Sequence, residues 1–502
     1  MTVLRPMLAI AVIALLAEQV WADPPAKNDL PDADWMIPNE KLMKSLADRV
    51  PIVFVSRGAN RKEWEQLPKF WNDATQEVAD PITQKPITQK VVKIKLPLGI
   101  NLTPPVPAEN PMTRGKWELG KRLYFDAIIS SDATVSCASC HSPKHGFTDG
   151  SKVSTGIGGQ KGGVSAPPVL NAAFNRNQFW DGRAATLEDQ AQGPPQNPIE
   201  MFDGKGNPWH EVVRRIRAKP DYVKSFQEEF GTLPTRDAVA KAIATYERTV
   251  LVGNSIHDRA EVAMRKRVED EDGTKFEVQP KDYETVLKDA FARKDKHALD
   301  ALKLDVAKDQ GKIAETAGSI DRGRILYFNK ARCNLCHVGE SLTDLTYHNL
   351  GVGAKDGKLP ADLLGRAGAL PTGAKDPAMV GAFKTPPLRG LLSTGPYLHD
   401  GSEDTLEKVV DYYDRGGNVN EFLDLKMRDT AAELAWQKSV LEKTPWKGPK
   451  VELITRDGKP IIPFKLNLTV DEKKDLVMFL RALESDPVDA TVADPAWFPG
   501  GK

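Results

Sequence analysis

The sequence has few cysteines, no net charge and no long apolar run beyond its N-terminus. Its 502 residues contain only four Cys, and 69 Lys and Arg are balanced by 69 Asp and Glu. Without a basic excess there is no electrostatic basis for general binding to nucleic acid or to an anionic membrane. Trp, Phe and Leu are too frequent, and the charges too dispersed, for a disordered chain. The length suits two or three domains, since a domain commonly has about 100–200 residues.

The one apolar run lies at residues 7–17, after Arg5 and before Val20-Trp21-Ala22. This order is typical of a secretory signal peptide and predicts cleavage after Ala22. The alternative is a membrane anchor, but the run is much shorter than the roughly 20 apolar residues of a helical span. We therefore expect a periplasmic protein whose mature chain has no membrane span.

The cysteines fall into two copies of the pattern C-x-x-C-H. The copies consist of Cys137, Cys140 and His141, and of Cys333, Cys336 and His337. Two disulfides, a redox pair or a zinc ribbon would be other uses of four cysteines. A redox pair does not need an adjacent His twice, and a zinc site would join two distant halves of the chain. The pattern is that of c-type haem attachment, where two thiols bond the haem and the His binds iron. It predicts two covalently bound c-type haems.

A longer internal repeat surrounds the two motifs. Residues 118–126 and 321–329 each contain a glycine, a basic residue and an apolar-aromatic stripe. After each motif a further helix is predicted, starting at Thr235 in the first copy and at the capping box of Thr469 and Glu472 in the second. The mid-helix glycines, Gly120 and Gly323, would let two helices cross closely. Each set of helix, haem motif and closing helix predicts one cytochrome c-like domain.

The predicted fold is mainly α, with two cytochrome c-like haem domains in tandem, a Pro-rich N-terminal extension and few short strands. The predicted segments are a signal peptide at 1–22, the extension at 23–110, a first haem domain at 111–252, a charged helical linker at 253–317, a second haem domain at 318–485 and a tail at 486–502. We also expect a helix near 39–50, a strand near 91–96 and a hairpin or loop at 446–464.

Two long stretches resemble the bacterial di-haem cytochrome c peroxidase and MauG family. They are FWDGRAATLEDQAQGPPQNPIEM at 179–201 and FKTPPLRG…TGPYLHDGSEDTLEKVV at 383–410, and the resemblance extends over roughly 105–250 and 318–485. It implies that the first haem is peroxidatic and that the second transfers electrons. It also implies that Glu200 is the acid/base, that Gln190 and Pro194 line the distal pocket, and that Trp180 relays electrons. Without the resemblance, Glu200 would be interpreted as a helix-start carboxylate and Trp180 as a core aromatic.

The sequence departs from the family at the distal side of the first haem. Peroxidases that need reductive activation carry a distal His in the loop after the first motif, and the matching place here is Ile157-Gly158. His145, the nearby candidate, follows the proximal ligand too closely to reach the distal side. We therefore expect a first haem that is open from the start.

The second haem also departs from the peroxidases. Where they carry an axial Met, this sequence has Tyr413, and MauG has a Tyr ligand at that place. A phenolate stabilises ferric and higher iron, so Tyr413 predicts a low potential. Two alternatives remain: Met427 is the ligand, or Tyr412 or Tyr413 only contacts the haem.

The family holds a calcium ion between the haems through an Asn side chain and the carbonyls of a Thr and a Pro. Thr394 and Pro396 match this pattern, but Ser165 replaces the Asn. A hydroxyl is a poorer calcium ligand than an amide carbonyl, so the resemblance implies a weakened site.

Three functions are compatible with these residues. The first is a peroxidase that reduces hydrogen peroxide with electrons from a small c-type cytochrome or copper protein. The second is a MauG-like oxidase that uses high-valent iron to oxidise a protein or organic substrate. Tyr413 favours this reading, whereas Ala331, where MauG has a surface Trp, argues against it. The third, an electron-transfer cytochrome, is disfavoured by Glu200 and by the missing distal His.

Overall fold

Helices dominate the computed structural model, which describes residues 32–45, 48–80, 83–371 and 376–497. The α-helices of these ranges are α1 Arg61–Gln66, α2 Arg114–Phe125, α3 Cys137–Cys140, α4 Leu187–Gln190, α5 Pro208–Arg217, α6 Pro220–Phe230, α7 Arg236–Glu247, α8 Ile256–Asp270, α9 Pro280–Ala292, α10 Lys296–Ala301, α11 Ile313–Phe328, α12 Arg366–Ala369, α13 Leu406–Asp414, α14 Thr430–Leu441, α15 Val470–Ala482 and α16 Ala490–Ala493. The strands are β1 Ile52–Val55, β2 Trp71–Ala79, β3 Pro86–Lys95, β4 Tyr347–His348, β5 Phe383–Lys384, β6 Leu453–Ile454 and β7 Pro460–Ile461. The expected mainly α fold is confirmed, while the expected signal peptide at 1–22 lies outside the described residues.

Two pairs of crossing helices organise the chain. A methyl group on Gly120 of α2 would lie 1.8 Å from the carbonyl oxygen of Ala242 in α7, and one on Gly323 of α11 would lie 1.9 Å from that of Asp475 in α15. The predicted close crossings at these two glycines are thus confirmed. Thr235 caps α7, and the capping box of Thr469 and Glu472 starts α15, as expected.

A tyrosine in the first helix of each pair holds the neighbouring motif. The Tyr124 hydroxyl donates to the carbonyl of His141 at 2.8 Å, and the Tyr327 hydroxyl donates to the carbonyl of His337 at 2.7 Å. Both tyrosines are fully buried. The repeat seen in the sequence is therefore also a repeat in three dimensions.

The N-terminal extension contains a three-stranded sheet of order β1-β3-β2, with β1 parallel and β2 antiparallel to β3. The expected strand near 91–96 is confirmed, although β3 begins earlier, at Pro86. The expectation of only short strands is wrong for β2 and β3, which are long. Trp71 of β2 packs on Trp117 of α2 with 4.6 Å between ring centroids, so the sheet covers the first helix pair.

The expected helix near 39–50 is only a 3-10 turn, Glu40–Leu42, in the described residues. The backbone on either side bonds to α6 instead: the N–H of Asn39 donates to the carbonyl of Gly231, and that of Lys44 to the carbonyl of Glu228. These tertiary bonds replace the helical ones.

The charged segment at 253–317 forms α8, α9, α10 and the start of α11. Most of its charged side chains are exposed or half-buried, but apolar side chains such as Met264, Tyr283 and Leu299 join one core with Ile320 and Phe479 of the second helix pair. The segment therefore supports the second half as well as connecting it, and the domain boundaries remain predictions. The expected hairpin is confirmed by the β6–β7 pair. No helix in the described ranges combines the length and apolarity needed to cross a bilayer.

Candidate haem site

The first motif is presented by a short helix. Cys137 and Cys140 begin and end α3, and His141 follows at its C-terminal end. The His141 Nδ1 lies 3.2 Å from the carbonyl oxygen of Phe147, which fixes the ring and leaves Nε2 as the nitrogen for a metal. Burial lowers the pKa of His141, so the ring is neutral, as an iron ligand must be.

The second motif repeats this arrangement. Cys333 opens the 3-10 turn Cys333–Leu335, and the His337 Nδ1 lies 3.0 Å from the carbonyl oxygen of Leu342. Burial lowers the pKa of His337 to about 4. Both histidines therefore have the tautomer and orientation that suit iron binding through Nε2.

A cavity opens in front of the second motif, with about 1850 Å³ of open space when its mouth to solvent is counted. The predicted site residues on its wall are Cys333, Cys336, His337, Tyr413, Met427, Trp180, Ser165, Thr394 and Pro396. Most of the other wall residues are apolar, as a porphyrin ring requires. The donor set and the apolar walls fit a haem bound through the two thiols and His337.

Three tyrosines line this cavity, and two of them are already hydrogen-bonded to the backbone. Tyr327 donates to the carbonyl of His337, and Tyr397 donates to the carbonyl of Leu391 at 3.0 Å. The Tyr413 hydroxyl has no hydrogen-bond partner among the described residues, and burial raises the pKa of Tyr413 far above its ordinary value. A metal cation bound to the Tyr413 oxygen would replace the missing hydrogen-bond partner and would favour the ionised phenolate. The neighbouring Tyr412 is not on the cavity wall, and its hydroxyl donates to the carbonyl of Leu350 at 2.9 Å.

Met427, the alternative ligand, also reaches the cavity. It packs at the same time in a small core with Leu423 and Ile461. The structure thus brings both predicted ligand candidates to one cavity, and the unpartnered hydroxyl distinguishes Tyr413.

Trp180 stands on the wall of the same cavity, fixed at its indole nitrogen. Its Nε1 donates to the carbonyl of Ser165 at 2.9 Å. The Ser165 hydroxyl lies 3.2 Å from the carbonyl oxygen of His399 and 3.3 Å from that of Leu398. Ser165 therefore lies beside Trp180, and Thr394 and Pro396, the other residues of the implied calcium site, line the same cavity.

Glu200 lies near the first motif rather than in this cavity. Asn197 Nδ2 donates to its Oε1 at 2.7 Å, and burial raises the pKa of Glu200. Burial raises the pKa of the Cys140 thiol, and the Glu200 carboxylate raises it further, which reflects their proximity. Gln190 ends α4 and Pro194 starts the 3-10 turn Pro194–Gln196, on consecutive turns before Glu200.

The loop that lacks the distal His packs against Glu200. The N–H of Ile157 donates to the carbonyl of Glu200 at 2.9 Å. Gly158 and Gly159 have φ of 62° and 79°, and no atom lies within 4 Å of the point where a side chain would begin at either glycine. His145 is exposed in the 3-10 turn Pro143–His145. Both glycines are exposed, and neither provides a side chain that could bind iron.

Sequence reasoning missed an ionic cluster beside Cys336. The Nδ1 of His348 lies 2.7 Å from a carboxylate oxygen of Asp424, and its Nε2 lies 2.8 Å from one of Asp344. The Nζ of Lys426 lies 3.1 Å from the same Asp344 oxygen and 3.7 Å from the Cys336 sulfur. Burial lowers the pKa of His348, but the carboxylates of Asp424 and Asp344 outweigh this effect and raise it. The Lys426 ammonium occupies the place of a cation, so this cluster is not a metal centre. Its members come from two separate segments, 336–348 and 424–426, and only the tertiary fold brings these segments together.

The comparisons with known proteins agree with this geometry. The family model of the di-haem cytochrome c peroxidases matches residues 114–266. The methylamine utilization protein MauG of Methylorubrum extorquens is 31% identical over 390 residues, covering 77% of this chain and 83% of that protein. The cytochrome-c peroxidase IdrP1 of a Pseudomonas species is 30% identical, covering 76% of this chain and 85% of that protein. A crystal structure of a MauG-like protein associated with microbial copper homeostasis has a TM-score of 0.56 at 25% identity, covering 80% of this chain and 98% of that one.

The fold and the two motif sites define a haem-dependent oxidoreductase of the c-type class. The chain belongs to the di-haem cytochrome c peroxidase and MauG family, and membership implies two c-type haems.

Proposed function

We propose that the protein is a periplasmic di-haem peroxidase, exported by a signal peptide at residues 1–22. It reduces hydrogen peroxide to water with electrons from a small c-type cytochrome or copper protein. The first haem belongs to a domain at 111–252 and the second to a domain at 318–485. The observation that carries the proposal is the half-buried Glu200, whose pKa is raised by burial and whose backbone carbonyl accepts from the N–H of Ile157 in the glycine loop.

The first site needs an iron with an open side and a group that moves protons. Cys137, Cys140 and His141 would hold the haem, and its iron would supply the redox chemistry of peroxide reduction. Glu200 would act as the acid/base that moves a proton from one peroxide oxygen to the other, so that the second oxygen can leave as water. Burial keeps the pKa of Glu200 above that of an ordinary carboxyl, so the group can both accept and donate. Asn197 orients the carboxyl, and Gln190 and Pro194 shape the pocket.

With both haems bound, electrons would reach the first site through the second. Trp180 is our proposed relay, because it lies on the wall of the second cavity and its indole nitrogen is fixed. His337 and Tyr413 are the proposed ligands of the second iron. A calcium ion held by Ser165, Thr394 and Pro396, with waters completing its shell, would stabilise this region.

A MauG-like oxidase acting on a protein or organic substrate is the second candidate. The unpartnered Tyr413 hydroxyl favours it, because a phenolate ligand stabilises ferric and higher iron. Ala331 is only 5% exposed and offers no surface aromatic residue for oxidation at a distance. This buried alanine favours the peroxidase.

Rapid mixing of the as-isolated protein with hydrogen peroxide tests the proposal. We expect continuous oxidation of a reduced small cytochrome or copper protein, and a loss of about 10²–10⁴-fold in this rate in Glu200→Gln, because the proton shuttle is removed. Glu269→Gln, at an exposed carboxylate of α8, is the control and should leave the rate unchanged.

Other outcomes of the mixing experiment contradict the proposal. A persistent spectral change with slow donor turnover would establish the MauG-like reading, and no reaction would leave an electron-transfer cytochrome. A Glu200→Gln variant with the wild-type rate would remove Glu200 from the mechanism.

A further inference from the structure

Lys384 is a buried cation on the wall of the second cavity. It is 6% exposed and belongs to β5, and its Nζ donates to the carbonyl of Asn177 at 2.9 Å. Among the described residues, no carboxylate oxygen lies within 4.0 Å of this nitrogen. A buried ammonium group is strongly disfavoured unless an anion accompanies it. Burial accordingly lowers the pKa of Lys384 to about 8.

His399 is a second group on this wall that lacks a partner. It is 5% exposed, and its Nε2 has no hydrogen-bond partner among the described residues. Its ring stacks on Phe383, the neighbour of Lys384, with 3.6 Å between centroids, and meets the edge of Trp180 at 6.4 Å. An ammonium group without a nearby anion and an imidazole nitrogen without a hydrogen-bond partner thus lie on one cavity wall.

The other charged groups on the wall are already compensated. Lys426 pairs with Asp344, and Asp424 pairs with His348. Arg332 covers the face of Phe464 at 4.1 Å and is partly open to solvent. Lys384 is therefore the buried cation that needs an anion from the cavity side.

A haem in this cavity brings its own anions, since each haem carries two propionate carboxylates. We propose that Lys384 Nζ binds a propionate carboxylate of the second haem, with His399 Nε2 as a second donor. The backbone N–H of Lys384 also donates to the carbonyl of Trp180 at 2.8 Å. Lys384 is thus a positioning residue that ties the haem edge to the loop carrying Trp180. The proposal rests on a haem in this cavity but not on which substrate is oxidised.

A spectroscopic redox titration that resolves the two haems tests this inference. Lys384→Met removes a positive charge beside the second haem. The loss of this charge stabilises the ferric form of that haem. We expect the ferrous–ferric equilibrium of the second haem to shift at least tenfold toward ferric, which is about 59 mV for one electron. Lys384→Arg keeps the charge and should retain most of the wild-type potential. The control is Lys438→Met, at an exposed lysine of α14, which should leave both potentials unchanged.

The outcomes distinguish the binding role from a structural one. An unchanged second-haem potential in Lys384→Met, with full haem attachment by mass, would overturn the proposal. A larger shift at the first haem would overturn the assignment to the second. If Lys384→Met does not fold, His399→Gln and the propionate bands in resonance Raman spectra of the wild-type protein test the same contact. An absence of peroxide turnover with the expected shifts would refute the peroxidase function and leave this inference standing.

Discussion

Tyr413 is the residue at which our two candidate functions differ most directly. Its neighbours Tyr327 and Tyr397 donate to backbone carbonyls, so their phenols stay protonated. Tyr413 has no such bond among the described residues, and only a metal would favour its ionised form, because burial raises its pKa. The nature of the sixth ligand decides whether the second haem acts as an easy electron donor or as a store of oxidising power.

Tyr413→Phe tests this ligand at the residue scale. We expect the optical and electron paramagnetic resonance spectra of the second haem to change and its potential to rise, because a hard anionic donor is lost. Met427→Leu, a change of similar volume, is the matched variant and should leave the spectra unaltered. The reverse pattern, with altered spectra only in Met427→Leu, would assign the ligand to Met427.

Trp180→Phe tests the relay. Phenylalanine keeps an aromatic ring but loses the bond from the indole nitrogen to Ser165, so we expect slower peroxide turnover with a reduced donor while both haem spectra are preserved. Trp446→Phe, which loses an equivalent bond to the carbonyl of Pro449, is the control for removing an indole. Wild-type turnover in Trp180→Phe would show that the residue only forms part of the wall.

At the scale of elements, the helix crossings follow from single glycines. Because the carbonyl of Asp475 lies 1.9 Å from the methyl position of Gly323, the variant Gly323→Ala must push α11 and α15 apart. We expect a loss of about 1–3 kcal/mol in the free energy of unfolding, the range for overpacking. Denaturant titration measures it. Gly318→Ala in the same helix should be neutral or stabilising by up to about 1 kcal/mol, because its methyl group meets only the Arg322 side chain. Equal effects of both changes would contradict the crossing argument.

Helix α7 carries a buried carboxyl group whose effect on stability depends on pH. Burial raises the pKa of Glu247 to about 8, while the neighbouring Arg248 is engaged by Glu188 at 2.9 Å. The folded protein keeps this proton up to about pH 8, whereas the unfolded chain releases it near the ordinary value of 4.5. Unfolding therefore releases a proton between these values, and the stability falls as pH rises, by up to about 1.4 kcal/mol per pH unit.

Glu247→Gln should remove this dependence. We expect the free energy of unfolding of Glu247→Gln, minus that of the wild type, to increase with pH between about 5 and 8. Denaturant unfolding at several pH values measures this difference. Glu442→Gln, at an exposed site after α14, should show the wild-type slope. Parallel curves for Glu247→Gln and wild type would mean that Glu247 is ionised in the folded protein.

Local signals explain which elements were predictable. Thr235, Thr469 and the two glycines act on their own helices, so their patterns are visible in the sequence. The parallel pairing of β1 with β3 depends on contacts between separated segments of the extension, and the sequence indicated only a strand near 91–96. In the site, the doubled motif predicted the haem attachment residues directly. Lys384, His399 and His348 could not be found in this way, because only the tertiary fold makes them buried or paired.

On the scale of the whole molecule, the short strands β4 and β5 connect the cavity wall that carries Trp180 and His399 with the ionic cluster beside Cys336. Tyr347 pairs with Lys384, and His348 pairs with Phe383. Through β5 the ladder contacts Trp180 and His399, and through β4 it reaches the ionic cluster beside Cys336. Only the four paired residues of β4 and β5 therefore separate these two regions, so a change of charge in one should affect the other.

The hydrogen bond that Tyr124 donates to the carbonyl of His141, and the matching bond from Tyr327 to His337, bear on the origin of the two halves of the chain. The glycine, the tyrosine and the motif histidine play the same parts in both halves, as expected if one ancestral gene segment was duplicated. The two copies differ outside these shared parts, with Glu200 in the first and Tyr413 in the second. If both residues act as we propose, the two haems would differ in function because of the residues on their distal sides, and those residues could change without disturbing the shared tyrosine and histidine.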